Sequence, residues 1–528
     1  MVMNIHNAKL DVLLIGYEIQ ENLGLRSILS VLHKENITAS IIALNKTDIN
    51  EILTIVKKTK PTIIGFSIIF QFTLVDFAKI IKRVKEANPE SHFTAGGHYP
   101  TLRPKETLNI IPELDSIVRH EGEYTIIELF RNINNKNNWN SINGIAFRKD
   151  EEIVVTPPRH LILNLDSLPF IEREQSVSSF SEVNIAHMLA SRGCHFHCSF
   201  CSIKEFYGGA RGPVRRTRSP QNVVDEMFLL YKDRGVKYFS FQDDDFSMRT
   251  KSQREWINVF LSEINKTELL GKIYWKISCR VDDISEDILC KMIASGLSLI
   301  YLGVETGNDL GLQVLNKMVT TDQNLKAINV VKKLGIGLSI GFMLFDPSST
   351  FNSVKENLIF LEKAGSDGFF VINFCKMLPY AGTEIENKLK KEGRLCGSET
   401  SPDYELSDPK LDWFSIFVNR IFNRRNFQND GLVYNLQQTD FKLRISNNIM
   451  ISDNEKANFR NRLTELNRRA NQTAIETLTS VLNLCESNLI NDLLNDGKEL
   501  VNIAEREWLE EDSIERDLLE LNIEIKSN

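Results

Sequence analysis

The 528-residue sequence is poor in cysteine, has no excess of positive charge and contains no long apolar run. Eight cysteines are too few for a disulfide scaffold, which small secreted domains build at much higher density. A net charge of -7 argues against a general nucleic-acid binder, whose binding domain would be basic. No stretch of about 18 apolar residues occurs, so no membrane-spanning helix is expected. The opening residues, MVMNIHNAKLDVLLIGY, lack a basic region followed by an apolar stretch and a cleavage site, and a cytoplasmic protein is expected. There is no repeat of solenoid length. No low-complexity tract is longer than the Asn-rich NINNKNNWNSING. The first apolar run is not followed by Gly-x-Gly-x-x-Gly, which argues against ordinary dinucleotide binding. What is present is an ordinary globular composition, 42% hydrophobic and 25% charged. At about 100–200 residues per domain there is room for three or four domains.

Residues 8–138 alternate strand and helix signals. Apolar runs at 10–17, 38–44, 62–69, 93–95 and 116–120 are separated by helical periodicity at 21–35, 48–60 and 72–87. Asp48 is a candidate N-cap. Repeated βα units imply a doubly wound parallel sheet, which binds ligands outside the carboxyl ends of its strands. Residues 139–185 read as a surface linker with a hairpin. Residues 186–390 carry six βα repeats, with strands expected at 187–191, 238–242, 275–280, 299–305, 337–342 and 368–377, and fit a partial βα barrel. Chemistry in such barrels sits at the carboxyl rim. Residues 391–528 read as helical, with long charged helices at 456–486 and 491–521. The expected class is therefore α/β with a helical C-terminal region.

Three of the eight cysteines fall within eight positions, in Ser191-Arg-Gly-Cys194-His-Phe-His-Cys198-Ser-Phe-Cys201. A closed tetrahedral zinc site needs a fourth ligand and usually a second cysteine pair, which the chain lacks; His195 or His197 would have to complete it. A [4Fe–4S] cluster normally takes four cysteines, so three leave one iron open for a chelating ligand. Cys-x3-Cys-x-Phe-Cys after the first barrel strand resembles the radical S-adenosylmethionine (SAM) superfamily. The resemblance implies that Cys194, Cys198 and Cys201 hold the cluster. It also implies that the open iron chelates SAM, whose reductive cleavage yields a 5′-deoxyadenosyl radical. Phe200 is then placed to approach adenine, and Asp243 or Asp244 to meet the SAM ammonium. Arg280 would face the SAM carboxylate or form a structural ion pair, and Glu305, in YLGVETG, would accept from the ribose hydroxyls. Cys375, near the end of the sixth expected strand, is a candidate hydrogen-atom or proton donor to substrate, or else a buried cysteine.

In the first domain, Gly96-Gly97 lies where a strand meets a helix and permits close approach of a flat ligand or phosphate. Ser67 and Thr73 flank the third strand's end, and Glu121-Gly122-Glu123 follows the fifth. The segments ENLGL, GGHYPTLRP and HEGE are similar to those of cobalamin-dependent radical SAM proteins. With the barrel, the likeness covers about residues 8–395. It implies that Ser67, Thr73, Gly96, Gly97, Glu121 and Gly122 contact cobalamin. Methyl-carrying B12 domains often have Asp-x-His-x-x-Gly after the first strand. Here that loop offers Glu18, Gln20 and Gly24 and no histidine, so no cobalt-ligating histidine is expected from it; His98 lies elsewhere in the domain.

The resemblance implies an enzyme using a [4Fe–4S] cluster, SAM and cobalamin to methylate an unactivated carbon of a small-molecule or peptide substrate. A flavodoxin- or ferredoxin-type protein would donate electrons, and neither nucleic acid nor membrane would be a partner. The alternative is a cyclase or ring-rearranging enzyme that uses cobalamin without methyl transfer. A non-catalytic B12-binding module with a structural metal knuckle would leave Asp243, Asp244 and Glu305 without a role.

Overall fold

A strand whose residues are all apolar has no face left for water, because side chains alternate between the two sides. Strand β1 (Val12–Gly16) is buried at every position. Val12 and Leu14 belong to one core, with helices α1 (Leu23–Lys34) and α6 (Glu123–Arg131). Leu13 and Ile15 belong to the other, with α2 (Ile49–Thr59) and α3 (Leu74–Ala87). Asp48 caps α2 by accepting the Asn50 and Glu51 N–H groups. Strands β2 (Ala39–Ala43), β3 (Ile63–Ser67), β4 (His92–Gly96) and β5 (Ser116–Val118) complete the parallel part, in the order β2-β1-β3-β4-β5. The short helices α4 (His98–Leu102) and α5 (Pro104–Ile110) link β4 to β5.

This computed structural model describes residues 9–173, 178–180, 183–445, 452–487 and 498–527. Residue 8 of the expected first domain, 174–177 and 181–182 of the expected linker, and 491–497 of the expected last helix lie outside the described residues. The hairpin read as part of the linker joins the sheet. Its strand β6 (Ile145–Lys149) pairs antiparallel with β5, and β7 (Glu152–Val155) pairs with β6. Burial of Ile145, Ala146 and Phe147 holds it there.

The chain divides into two compact units: Met1–Asp244 with Pro379–Lys388 and Gly397–Asp403, and Asp245–Leu378 with Leu389–Cys396 and Tyr404–Asn528. The first unit holds the sheet above. It also holds β8 (Ser178–Phe180), β9 (Val183–Met188), the two-residue β10 (Ser191–Arg192) and β11 (Arg216–Thr217), α7 (Ser202–Gly208), α8 (Pro220–Arg234) and β12 (Val236–Phe241). Strand β9 runs parallel to β12. The second unit alternates α9 (Lys251–Asn265), β13 (Tyr274–Arg280), α10 (Glu286–Ala294), β14 (Leu297–Glu305), α11 (Asp309–Val314), α12 (Thr321–Lys333), β15 (Gly337–Phe345), α13 (Phe351–Gly365) and β16 (Cys375–Lys376). Its strands are parallel neighbours in that order. These repeats form the partial βα barrel, followed by the helices Pro409–Phe427, Leu432–Ile445, Asp453–Ser487 and Lys498–Ser527.

The sixth barrel strand, expected over 368–377, shrinks to Cys375–Lys376. Its backbone is bonded by side chains of the later helices instead. Asn471 accepts the Ile372 N–H at 2.8 Å and donates to the Gly365 and Phe370 carbonyls. Asn467 donates to Gly368, Arg425 to Ile372 and Asn426 to Phe374. Every buried backbone group needs a partner, and here amides and a guanidinium replace a neighbouring strand. No helix among the described residues is long and apolar enough to cross a membrane.

Candidate functional site

In the first unit, the carboxyl ends of β1, β3, β4 and β5 open into a cavity of about 860 Å³, large for a small-molecule site. Ser67, Thr73, Gly96, Gly97, Glu121 and Gly122 all line it. Gly97 has φ 110°, and a Cβ there would meet the Ile68 carbonyl oxygen, so only glycine lets the chain leave β4 this way. Asn22 of the ENLGL segment caps α1 by accepting from the Leu25 N–H and donates to the Ser67 hydroxyl. The Thr73 hydroxyl donates to the Phe70 carbonyl. Ile19, Phe70 and Phe72 also line the cavity yet remain exposed, at 69%, 43% and 53%. Phe70 and Phe72 stack with centroids 5.1 Å apart. Large apolar groups left in water mark a binding surface.

No histidine enters from the loop after β1, where Glu18 instead accepts from Asn22 and Arg26. The cavity's histidines come from the ends of β4 and β5. His98 stacks on Phe206 at 4.4 Å, and desolvation lowers its pKa to about 4, keeping it neutral. His120 Nδ1 donates to the Phe206 carbonyl at 2.7 Å, which leaves Nε2 as the lone-pair nitrogen. That Nε2 is buried without a hydrogen-bond partner among the described residues.

The acids of HEGE are engaged by protein groups. Glu121 accepts from Arg192, from Arg216 and from the Ile162 N–H, and Glu123 from Arg192 and Ser27. Arg192 lies two residues before Cys194 and itself lines the cavity. It therefore ties the cysteine loop to the ends of the sheet strands. Glu21 adds a second tie, accepting from Arg173 and from the His187 N–H of β9. Burial raises the Glu21 carboxyl pKa, but His187 and Arg173 more than reverse this and hold it at about 2. Sequence reasoning missed Arg192, Arg216 and Glu21, because each partner lies dozens of residues away and no local spacing marks them.

Cys194, Cys198 and Cys201 are all half-buried on the loop after β10. The Cys201 N–H donates to the Cys198 carbonyl, and Cys201 is the N-cap residue of α7. Gly193 precedes the loop at φ 79°, where a Cβ would meet the Val214 carbonyl. Asp244 accepts the Gly193 N–H at 2.8 Å and lines the cavity. Asp243 lies outside the lining, its oxygens taken by the Ala190 N–H and the Ser191 hydroxyl. Burial pushes both carboxyls up to about 6. Phe200 is half-buried and also outside the lining. No three His, Cys, Asp or Glu side chains among the described residues are already gathered as a metal-holding group. The donor set nonetheless fits the cluster: three thiols share one short loop, while His195 and His197, which a zinc knuckle would need, are exposed. The glycine-lined, apolar-rimmed cavity likewise fits a large flat ligand.

The second unit holds the remaining candidates. Arg280 pairs with Asp282 at 2.8 Å and donates to the Lys317 carbonyl. The Lys317 ammonium in turn holds Glu305 Oε1 at 2.7 Å. Among the described residues Oε2 of Glu305 has no protein partner, and Glu305 adopts φ 71°, strained for any residue but glycine. Cys375 donates to the Phe342 carbonyl, and burial, helped by Glu305, pushes its thiol up to about 12. The thiol therefore keeps its hydrogen at neutral pH.

Together the parallel sheet with its ligand cavity and the three-cysteine loop of a βα barrel define a class, and comparison with known proteins agrees. Residues 12–130 match the B12 binding domain and residues 188–361 the Radical SAM superfamily. The chain thus carries a radical SAM domain and a B12-binding domain, which imply a [4Fe–4S] cluster, SAM and cobalamin as cofactors. It is 28% identical over 367 residues to an uncharacterized methyltransferase of Pyrococcus horikoshii, covering 69% of this chain and 77% of that protein. It is 30% identical over 307 residues to the anaerobic magnesium-protoporphyrin IX monomethyl ester cyclase of Rubrivivax gelatinosus, covering 56% of this chain and 53% of the cyclase. The chain thus spans about half the cyclase's length. Its fold is similar to that of the cobalamin-dependent S-adenosylmethionine radical enzyme OxsB with aqua-cobalamin bound, with TM-score 0.68 and 18% identity over 97% of this chain and 80% of that one.

Proposed function

We propose that the chain transfers a methyl group to an unactivated carbon of a small-molecule or peptide substrate. The supporting observation is that the cavity at the sheet's strand ends shares Arg192 and Asp244 with the cysteine loop inside one compact unit. Methyl donor and radical source would then act at neighbouring positions. When bound, cobalamin supplies a methyl carrier and the cluster supplies the electron that cleaves SAM. Cys194, Cys198 and Cys201 would hold the cluster, and Asp244 would meet the SAM ammonium. Arg280 and Glu305 would orient the rest of SAM, and Phe200 would approach its adenine. Gly96, Gly97 and Gly122 would admit the corrin or its tail against the backbone, Ser67 and Thr73 would meet its polar groups, and Ile19, Phe70 and Phe72 would shed water onto its flat face. Glu121 would act from behind, through Arg192. Cys375, protonated at neutral pH, would offer a hydrogen atom.

Functional domains at 8–138, 186–390 and 391–528, joined by 139–185, belong to this reading, as do a cytoplasmic location and a flavodoxin- or ferredoxin-type electron donor. The likeness to the cyclase supports a second reading, ring closure without methyl transfer. Anaerobic reconstitution followed by turnover with SAM labelled in its methyl group tests both. Labelled methyl in the product supports methyl transfer, whereas an unchanged or dehydrogenated skeleton supports cyclisation. SAM cleavage that survives Cys198→Ala would exclude both.

A further inference from the structure

Any axial group that the protein offers to a corrin metal must come from the cavity at the strand ends, and few of its donors are available. Among the described residues that line it there is no cysteine or methionine. Its acids are engaged: Glu21, Glu121 and Glu123 are held by arginines, and Asp244 accepts the Gly193 N–H. Amide and hydroxyl oxygens suit harder ions than cobalt, whereas neutral imidazole is the commonest metal ligand of proteins. Two imidazoles line the cavity, His98 and His120. His120 has a free lone pair on Nε2, but that atom is sealed inside the protein. Gly209 packs on the same ring edge, where a Cβ would lie 2.9 Å from Cε1.

His98 differs on each count. It is half-buried, and among the described residues neither ring nitrogen has a hydrogen-bond or charged partner. Neither nitrogen is sealed in as Nε2 of His120 is. The ring is nevertheless held in place. Gly97, at φ 110° with the Ile68 carbonyl against it, sets the turn that puts His98 just beyond β4. Phe206 stacks on one face of the ring, with centroids 4.4 Å and planes 10° apart. Stacking occupies the face and leaves the edge, which carries both nitrogens and is where a metal bonds. A partly dehydrated imidazole with no partner is unfavourable until a ligand engages it. We propose that His98 is the protein's axial ligand to the cobalt of cobalamin, entering from the end of β4 in place of the histidine absent from the loop after β1; this rests on the cobalamin-dependent reading above. The bond is dative: the neutral ring gives its lone pair and replaces a water or the cobalamin's own base on that face. No electron is transferred and no proton leaves.

The test is electron paramagnetic resonance of the full-length, cluster-reconstituted protein loaded with cobalamin and poised in the cobalt(II) state. The protein is made once with natural histidine and once with histidine carrying the heavy nitrogen isotope. An axial nitrogen splits each cobalt line, into three when natural and into two when heavy. The expected result is three lines that become two when histidine alone is labelled. His98→Ala should lose the splitting while visible absorption and cobalt content show cobalamin still bound, and added imidazole should restore three lines. The labelled parent decides the question even where the variant binds cobalamin poorly. Three lines persisting in the labelled parent would assign the bond to the cobalamin's own base. No splitting in the parent would leave the cobalt without a nitrogen ligand, and His98 would then serve at most the corrin's amides. Two lines retained in labelled His98→Ala would move the bond to another histidine. Each of these overturns the inference. Protein that holds iron but no cobalt would overturn the cobalamin reading itself, and the metal content of the same sample separates that failure from the others.

Discussion

The two units finish a parallel sheet in different ways. In the first, β5 would be an open edge, and the hairpin β6–β7 closes it by backbone pairing. In the second, the segment before β16 is covered by side chains, Asn467, Asn471, Arg425 and Asn426, reaching from later helices. Backbone pairing tolerates many sequences, whereas a side-chain cover depends on a few particular residues. Arg425 shows the cost, because it is wholly buried and faces the buried acids Glu507 and Glu511. This gives the C-terminal helices a structural role: they complete the barrel's last strand position.

The largest effect expected from this contrast is at Asn471. Asn471→Leu leaves the Ile372 N–H and the Phe370 carbonyl without this partner, takes one of two donors from the Gly365 carbonyl, and should cost about 3–4 kcal/mol in urea unfolding, whereas Val155→Thr on the hairpin edge should cost about 0.5 or less. Equal costs would erase the distinction. Next is Arg192→Met, which removes a shared partner of Glu121 and Glu123 and should cost about 3 kcal/mol. It should also reduce the iron retained after reconstitution; full retention would mean that Arg192 serves the sheet alone.

Glu21 comes third. Its pKa is depressed from 4.5 to about 2, so the stability it adds is present above pH 4.5 and is lost as pH falls toward 2. Glu21→Gln should therefore be destabilised by about 2–3 kcal/mol at pH 7 and differ little from the parent near pH 2, as acid titration of unfolding would show. The smallest effect concerns SAM. Asp243 and Asp244 have pKa values raised to about 6, and an ammonium favours their ionised form. Calorimetry should find SAM affinity fully developed above pH 6 and falling by up to about tenfold per unit below it, and Asp244→Asn should flatten that slope.

The sheet was readable from sequence because its strands are buried on both faces and its helices have single apolar stripes. The cysteine loop was readable because three ligands fit in eight positions. The barrel's last strand misled because 368–377 has strand-like residues whose partners are side chains about fifty to a hundred residues away. Glu121 shows a similar limit. Its place at a strand end was visible, but its engagement by Arg192 and Arg216 depends on contacts that no local pattern encodes.

The most direct test of the central claim, that one chain houses a [4Fe–4S] cluster and cobalamin side by side, is the ultraviolet–visible spectrum of anaerobically reconstituted protein with its iron and cobalt content. The expected result is cluster and cobalamin absorption in the same purified species, with the cluster bands lost in Cys198→Ala and the cobalamin bands retained. Cluster absorption with no bound cobalamin, or cobalamin with no iron, would contradict it.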